Sequence, residues 1–133
     1  MTHYNYRIYY EDSDAQGLVY YANYLKFYER ARTDYLRDLG LWQSYLTNNY
    51  DINFVVSKVN INYIKPAKFD DLINVYVKII KIGNFSLEMS QKIMIKDLVI
   101  NDASFKIACI SATNFKLKTI PQYIKEILTK KDV

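Results

Sequence analysis

The chain is short of the residues on which most enzyme chemistry leans: one histidine, one cysteine, three glycines and two prolines in 133 residues. His3 sits close to the amino terminus, a poor place for a triad base, so serine–histidine–aspartate catalysis finds no support. Gly17, Gly40 and Gly83 are too far apart to write a Rossmann, Walker or nucleophile-elbow motif. The histidine and cysteine ligands of a protein zinc site are missing, so the sequence predicts no metal and no cofactor. Cys109 has no partner for an internal disulfide, which points to a reducing, cytoplasmic setting. The opening "MTHYNYRIYY" carries no basic stretch ahead of an apolar one, and no apolar run approaches the length of a bilayer span. The chain therefore reads as not membrane-spanning. Its formal net charge of +4 comes from scattered lysines rather than an arginine-rich stripe. Such a surface suits the phosphates of a small ligand and gives no case for nucleic acid.

What is present is globular: half the residues are hydrophobic and 24% are charged, at a length suited to one domain, 1–133. Over 4–11, Tyr4, Tyr6, Ile8 and Tyr10 alternate with Asn5, Arg7, Tyr9 and Glu11, the period of a strand. From Tyr20 to Leu39 the period changes. Tyr20, Tyr24, Tyr28, Ala31, Tyr35 and Leu39 recur at three and four, with Lys26, Glu29, Arg30, Asp34 and Arg37 opposite, and Arg30 spaced to pair with Asp34. Gly40 is placed to stop this helix. A linker over roughly 41–51 is expected next.

Four strands follow. Val59, Ile61 and Tyr63 alternate in the first until Pro66; 71–82 is β-branched on both faces, as in a strand covered on both sides; 85–96 alternates again after a turn at Gly83-Asn84; and 99–116 follows a tight turn near Asp97. Pro121 is placed to open a short terminal helix carrying Ile124, Ile127 and Leu128. One strand, a long helix and four successive strands imply an α+β fold. The helix buries its stripe against a curved five-stranded antiparallel sheet, the hotdog arrangement. Bare sheet edges in such a fold favour self-association.

The acidic segment "YEDSDAQG" raises the question of function. Glu11, Asp12 and Asp14 crowd into four positions, Gly17 follows, and the helix begins at once. By composition alone Asp14 reads either as a turn acid or as a reactive carboxylate. The block "YYEDSDAQGLVYYANYLKFYERARTDYLR", with "INFVVSKVNINYIKPAKFDDLINV" and "IGNFSLEMSQKI", resembles the 4-hydroxybenzoyl-CoA thioesterase family of hotdog proteins. It is most similar to the bacterial acyl-CoA thioesterases associated with the Tol–Pal envelope system. The resemblance spans nearly the whole chain. It implies that Asp14 is the catalytic carboxylate, that Gly17 makes the bend, and that the backbone amide of Tyr21 polarises the thioester carbonyl. Many Tol–Pal-associated members carry histidine where this chain has Tyr21, which bears on acyl preference and leaves a backbone role intact. Acyl-CoA is then the implied substrate, acyl carrier protein an alternative carrier, and a homodimer or homotetramer the implied assembly.

Such chemistry is self-consistent. A thioester is activated and its thiolate leaves readily, so hydrolysis needs a positioned base or nucleophile and a holder for the oxyanion. Neither task demands imidazole. The remaining residues divide between roles: Ser86 either contacts the pantetheine arm or carbonyl, or is an ordinary strand serine. Lys58, Lys65, Lys92 and Lys116 are candidates for the CoA phosphates, with solvated surface charge as the plain alternative. Asp12 is read as bracing the turn and Cys109 as a small core residue. The competing function is a non-catalytic hotdog protein that holds acyl-CoA or acyl carrier protein as a scaffold in envelope maintenance. A dehydratase of the same fold would need an active-site histidine, for which only His3 is available.

Overall fold

The computed structural model describes residues 1–131. Its elements are β1 (Thr2–Arg7), α1 (Tyr24–Asp38), α2 (Gln43–Tyr50), β2 (Ile52–Tyr63), β3 (Leu72–Ile82), β4 (Ser86–Ile95), β5 (Leu98–Ser111) and α3 (Gln122–Lys131). The five strands form one antiparallel sheet in the order β1-β3-β4-β5-β2, so β1 and β2 are its edges. The sheet curves around α1, as the sequence predicts.

The inward residues of the sheet, among them Ile73, Val75, Val77, Leu87, Met89, Ile93, Phe105 and Ile107, meet Tyr24, Phe27, Tyr28, Ala31 and Tyr35 of α1. Polar bonds fix the helix within that apolar layer. The Tyr28 hydroxyl donates to Asn101 Oδ1 at 2.6 Å, and Gln91 Nε2 donates to the Tyr28 carbonyl at 3.2 Å. On the helix's other side Tyr4 and Tyr6 donate from β1 to the carboxylates of Asp38 and Asp34. Burial and those carboxylates push both phenols well above the ordinary tyrosine range. Gly40 has φ +81° and ends the helix in the left-handed conformation, as expected. Ile124 and Leu128 of α3 are fully buried, and Cys109 is a buried core thiol whose pKa burial raises to about 11.

Several expectations fail for physical reasons. The first strand stops at Arg7, and Tyr10–Asp12 forms a 3-10 turn because the buried Asp12 carboxylate accepts from the Tyr9 amide at 2.9 Å. Tyr10 is 81% exposed, so the alternation that places it inward overreaches. The α-helix begins at Tyr24, four residues late, after a 3-10 turn over Tyr21–Asn23. Arg30 does not pair with Asp34: its guanidinium lies 5.3 Å over the Phe27 ring, while Asp34 is met by Tyr6 and, at 3.8 Å, by Arg37. Strand β3 is covered on one face only, with Leu72, Lys78 and Ile80 outward and exposed.

The segment expected as a linker contains α2, anchored by Leu46, which is fully buried. The last strand ends at Ser111, five residues short of 116, because Ser111 Oγ accepts from the amides of Thr113 and Asn114 and turns the chain. These two misses share one cause. Asp51, at the end of α2 with φ +52°, accepts from Ser111 Oγ and Thr113 Oγ1, each at 2.7 Å, and Lys118 Nζ lies 3.4 Å away. The hydroxyl bonds, helped by Lys118, hold this carboxyl below the usual aspartate range. A depressed folded-state pKa contributes stability that is present above the unfolded value and is lost as pH falls through the folded one. Asp51→Asn, which tolerates the left-handed backbone, is therefore expected to lower the melting temperature near neutral pH. The gap from wild type should shrink as pH falls below about 4. A gap that stays constant from neutral to acid pH in thermal melts would show that the charge plays no part.

Candidate active site

The chain leaves Asp12 and turns back on itself in a small hairpin. Ser13 and Val19 form an antiparallel bridge, the Asp14 amide donates to the Leu18 carbonyl at 2.8 Å, and the Gly17 amide donates to the Asp14 carbonyl at 3.0 Å. Gly17 closes this turn with φ +79°, a conformation side chains disfavour. Asp14 opens the turn, with Ala15 and Gln16 at its tip. Its Oδ1 accepts from the amides of Gln16 at 2.8 Å and Leu18 at 3.3 Å, which aligns the carboxylate over its own turn. Among the described residues Oδ2 takes no hydrogen bond, and the side chain is open to solvent.

The hairpin is tied to the chain entering β3. Val19 donates to the Ala67 carbonyl at 2.9 Å, Phe69 donates to the Gly17 carbonyl at 3.2 Å, and Leu18 bridges Lys68. The Ala67 amide in turn donates to the Tyr24 hydroxyl at 2.9 Å, which locks this connection to the first turn of α1. Asp12 closes the base: its carbonyl accepts from Asn23 Nδ2 at 2.9 Å and from the Tyr20 amide at 3.3 Å. Asp12 is thus a structural acid, 7% exposed, and Asp14 is the free one.

Tyr21 opens the 3-10 turn that leads into α1. As the first residue of a helical turn its N–H has no partner within that turn. Its carbonyl accepts from the Tyr63 hydroxyl at 3.2 Å, and its ring meets those of Tyr20 and Tyr63. Beside it lies a cavity of about 220 Å³ bordered by Val19, Tyr21, Tyr24, Tyr63, Lys65 and Pro66. Asp14, Gly17, Tyr21 and Lys65 therefore gather at one end of the sheet.

Ser86 does not join them within one chain. It begins β4 opposite Ala108, whereas the hairpin sits where β3 begins and β4 ends. The ten residues of β4 separate the two ends by roughly 30 Å at ~3.3 Å per residue. Of the other lysines, Lys92 lies 5.0 Å over the Tyr76 ring on the sheet. His3 stacks on that same ring, 4.8 Å between centroids, far from any base position. Among the described residues no group of three or more histidine, cysteine, aspartate or glutamate side chains could hold a metal ion.

Sequence reasoning overlooked Arg32. It is 9% exposed, donates from Nη1 to Gln91 Oε1 at 3.0 Å and lies 4.2 Å over the Phe105 ring. The signal was its spacing: four residues after Tyr28 and beside Ala31, it falls on the buried stripe.

The thioesterase superfamily profile matches residues 16–100. The chain belongs to that family. It is 39% identical over 119 residues to a Haemophilus influenzae protein named acyl-CoA thioesterase YbgC, covering 90% of this chain and 88% of that one. It is 36% identical over 119 residues to the Escherichia coli O6:H1 acyl-CoA thioester hydrolase YbgC, with 89% and 88% covered. Among solved structures it is similar to a probable thioesterase from Bartonella henselae, at 31% identity and TM-score 0.86, over 90% of this chain and 98% of the other. No helix among the described residues of this thioesterase is long and apolar enough to cross a membrane.

The Gly17 bend gives a direct test. A Cβ there would meet nothing within 4 Å, so the obstacle to substitution is backbone conformation alone. Gly17→Ala should cost about 1–2 kcal/mol in chemical denaturation, and a neutral result would show that the bend is freely adopted.

Proposed function

We propose that this thioesterase hydrolyses acyl-CoA to the free acid and CoA, with Asp14 as general base or nucleophile. The observation that carries the reading is the hairpin that presents Asp14 with one unbonded carboxylate oxygen, continuing directly into the Tyr21 amide at the start of a helix. Relatives named as acyl-CoA thioesterases over nearly the full chain support it.

In the base route, Asp14 takes a proton from water as the hydroxyl oxygen attacks the carbonyl carbon. The carbonyl oxygen gains negative charge opposite the Tyr21 N–H. Collapse breaks the carbon–sulfur bond, and the proton passes to the CoA thiolate. In the nucleophilic route, an Asp14 oxygen attacks and displaces the thiolate, and water then opens the anhydride. Either way the oxyanion is held by an amide that is already oriented, which avoids reorganisation during the reaction. The start of α1 adds the positive end of its dipole. Lys65, on the border of the neighbouring cavity, is the lysine best placed for an anionic group of the carrier. Acyl carrier protein is the alternative carrier.

Cytoplasmic placement and a role beside the Tol–Pal system extend the same proposal. So does assembly into a dimer or tetramer: the edge strand β2 exposes Val56, Val59 and Tyr63, and pairing would cover it. Ser86 reaches a substrate only from a second copy. Light scattering should return two or four times the 15.8 kDa chain mass, and a monomer at micromolar concentration would overturn the assembly.

The chemistry is tested on a panel of acyl-CoA esters with thiol release as the readout. Wild type should turn over at least one ester. Asp14→Asn should fall about 10²-fold or more in kcat with an unchanged melting temperature. Full activity in that variant would sink the mechanism. Tight acyl-CoA binding by wild type without turnover of any ester would favour the scaffold reading.

A further inference from the structure

Two phenols border the small cavity beside Tyr21, and each bonds the backbone through its hydroxyl. Tyr24, in the first turn of α1, is 2% exposed, and its hydroxyl accepts from the Ala67 amide at 2.9 Å. Tyr63 ends β2 and is half-exposed, and its hydroxyl donates to the Tyr21 carbonyl at 3.2 Å. The two rings meet edge-on, 5.8 Å between centroids. A tyrosine suits such a task, because its stiff apolar body carries a polar tip at a set distance from the backbone.

The two bonds act on different halves of the site. Ala67 is fully buried, and the hairpin is attached to it: its carbonyl accepts from Val19, and Phe69, two residues on, donates to the Gly17 carbonyl. The Tyr24 hydroxyl therefore ties the 67–69 connection to α1, and with it the loop that carries Asp14. Tyr63 instead holds the 3-10 turn Tyr21–Asn23, whose first residue offers its amide. Its ring also meets the Tyr21 ring, 6.2 Å between centroids. Burial raises the Tyr24 pKa, opposed by the Ala67 N–H, so this phenol stays neutral near neutral pH. Acid and amide are thus fixed to a common frame from opposite sides, one through each phenol.

We propose that Tyr24 and Tyr63 are positioning residues for thioester hydrolysis, their hydroxyls setting the spacing between the Asp14 carboxylate and the Tyr21 N–H. Neither hydroxyl touches the reacting atoms. The inference rests on the reading of Asp14 as base or nucleophile and of the Tyr21 amide as oxyanion donor. A misplacement of about 1 Å between catalytic groups costs up to about 10²-fold in rate. Contacts that hold the rest of the substrate are untouched by that spacing, so the loss falls on kcat rather than KM.

Tyr24→Phe and Tyr63→Phe keep the rings and delete the bonds. Each is assayed alone and combined with Asp14→Asn, on an acyl-CoA ester that wild type hydrolyses. Tyr24→Phe should lower kcat about tenfold or more while KM changes less than about twofold. In the Asp14→Asn background the same change should cost less than about twofold more, because no carboxylate is left to misplace. Tyr63→Phe should lower kcat about fivefold in both backgrounds at an unchanged melting temperature, since the amide acts in each. A Tyr24→Phe loss of equal size with and without Asp14 would mark a general loosening of the fold and overturn the proposal. Unchanged kcat in either single variant overturns it as well. Should Tyr24→Phe fail to fold, the half-exposed Tyr63 decides by the same kcat measurement. Wild type without turnover, or Asp14→Asn with full activity, removes the hydrolysis reading and these roles together. Activity that needs Asp14 and neither hydroxyl removes this inference alone.

Discussion

The structure depends on how one helix is clamped inside the sheet. Apolar packing alone would let α1 slide or rotate by part of a turn at modest cost, since Tyr, Phe and Ala contacts are not directional. The buried polar bonds remove that freedom. Tyr28 gives its hydroxyl to Asn101 on β5 and its carbonyl to Gln91 on β4, and Gln91 passes the constraint on to Arg32 one turn further along. In a low-dielectric interior an unmade bond of this kind is expensive, so the register that satisfies them is strongly preferred. The first turn of α1 is fixed from outside the sheet by the Ala67 amide on Tyr24.

Two consequences follow from a helix fixed in this way. Its amino end leads back through Tyr21 to the base of the Asp14 hairpin, and its middle buries Arg32 against Gln91 and Phe105. The hairpin adds its own constraint through Val19 and Gly17, both bonded to the 67–69 connection. Asp14 is thereby mounted on a loop whose two ends are held by the helix and the sheet, an arrangement that preserves geometry although the side chain lies in solvent. The division between the carboxylates has the same origin. Asp12 is buried at the base of the loop with its carboxylate on the Tyr9 amide, whereas Asp14 is exposed and keeps one carboxylate oxygen unbonded among the described residues.

Much of this was legible in the sequence because it rests on periodicity. The stripe of tyrosines on α1, the alternation in β4, the stop at Gly40 and the bend at Gly17 are each local patterns with a local cause. What escaped depends on partners distant in the chain. Segment 41–51 holds two buried leucines, of which only Leu46 lies within α2, so the helix has no visible stripe; it exists because Leu46 packs into the core and Asp51 meets Ser111 and Thr113. The same contacts end β5 early. Asp34 was claimed by Tyr6 across the gap to β1, a competitor that helical spacing cannot reveal. Arg32 went unassigned because the partners that hold it inside, Gln91 and Phe105, lie on strands far along the chain. Ser86 sits in a motif close to the others in pattern, yet the strand carries it to the far end of the sheet.

The exposure of Asp14 sets a condition on the proposed chemistry. A carboxylate in bulk water is solvated, and its attack on a carbonyl, or its proton abstraction, must first displace that water. Among the described residues nothing buries the Asp14 side chain, and Tyr21, Tyr63 and Lys65 border the neighbouring cavity. The missing wall must come from the substrate or from a second copy. A thioester carrier is large enough to exclude water as it binds, and a copy paired along β2 would add surface to the end of the sheet where Tyr63 lies. In both cases the proposed reaction would belong to the covered state, in which the positioned carboxylate has shed its water. That condition also accounts for a site built from so few specialised residues: with a thioester as the reacting group, position and exclusion of water take the place that histidine holds elsewhere.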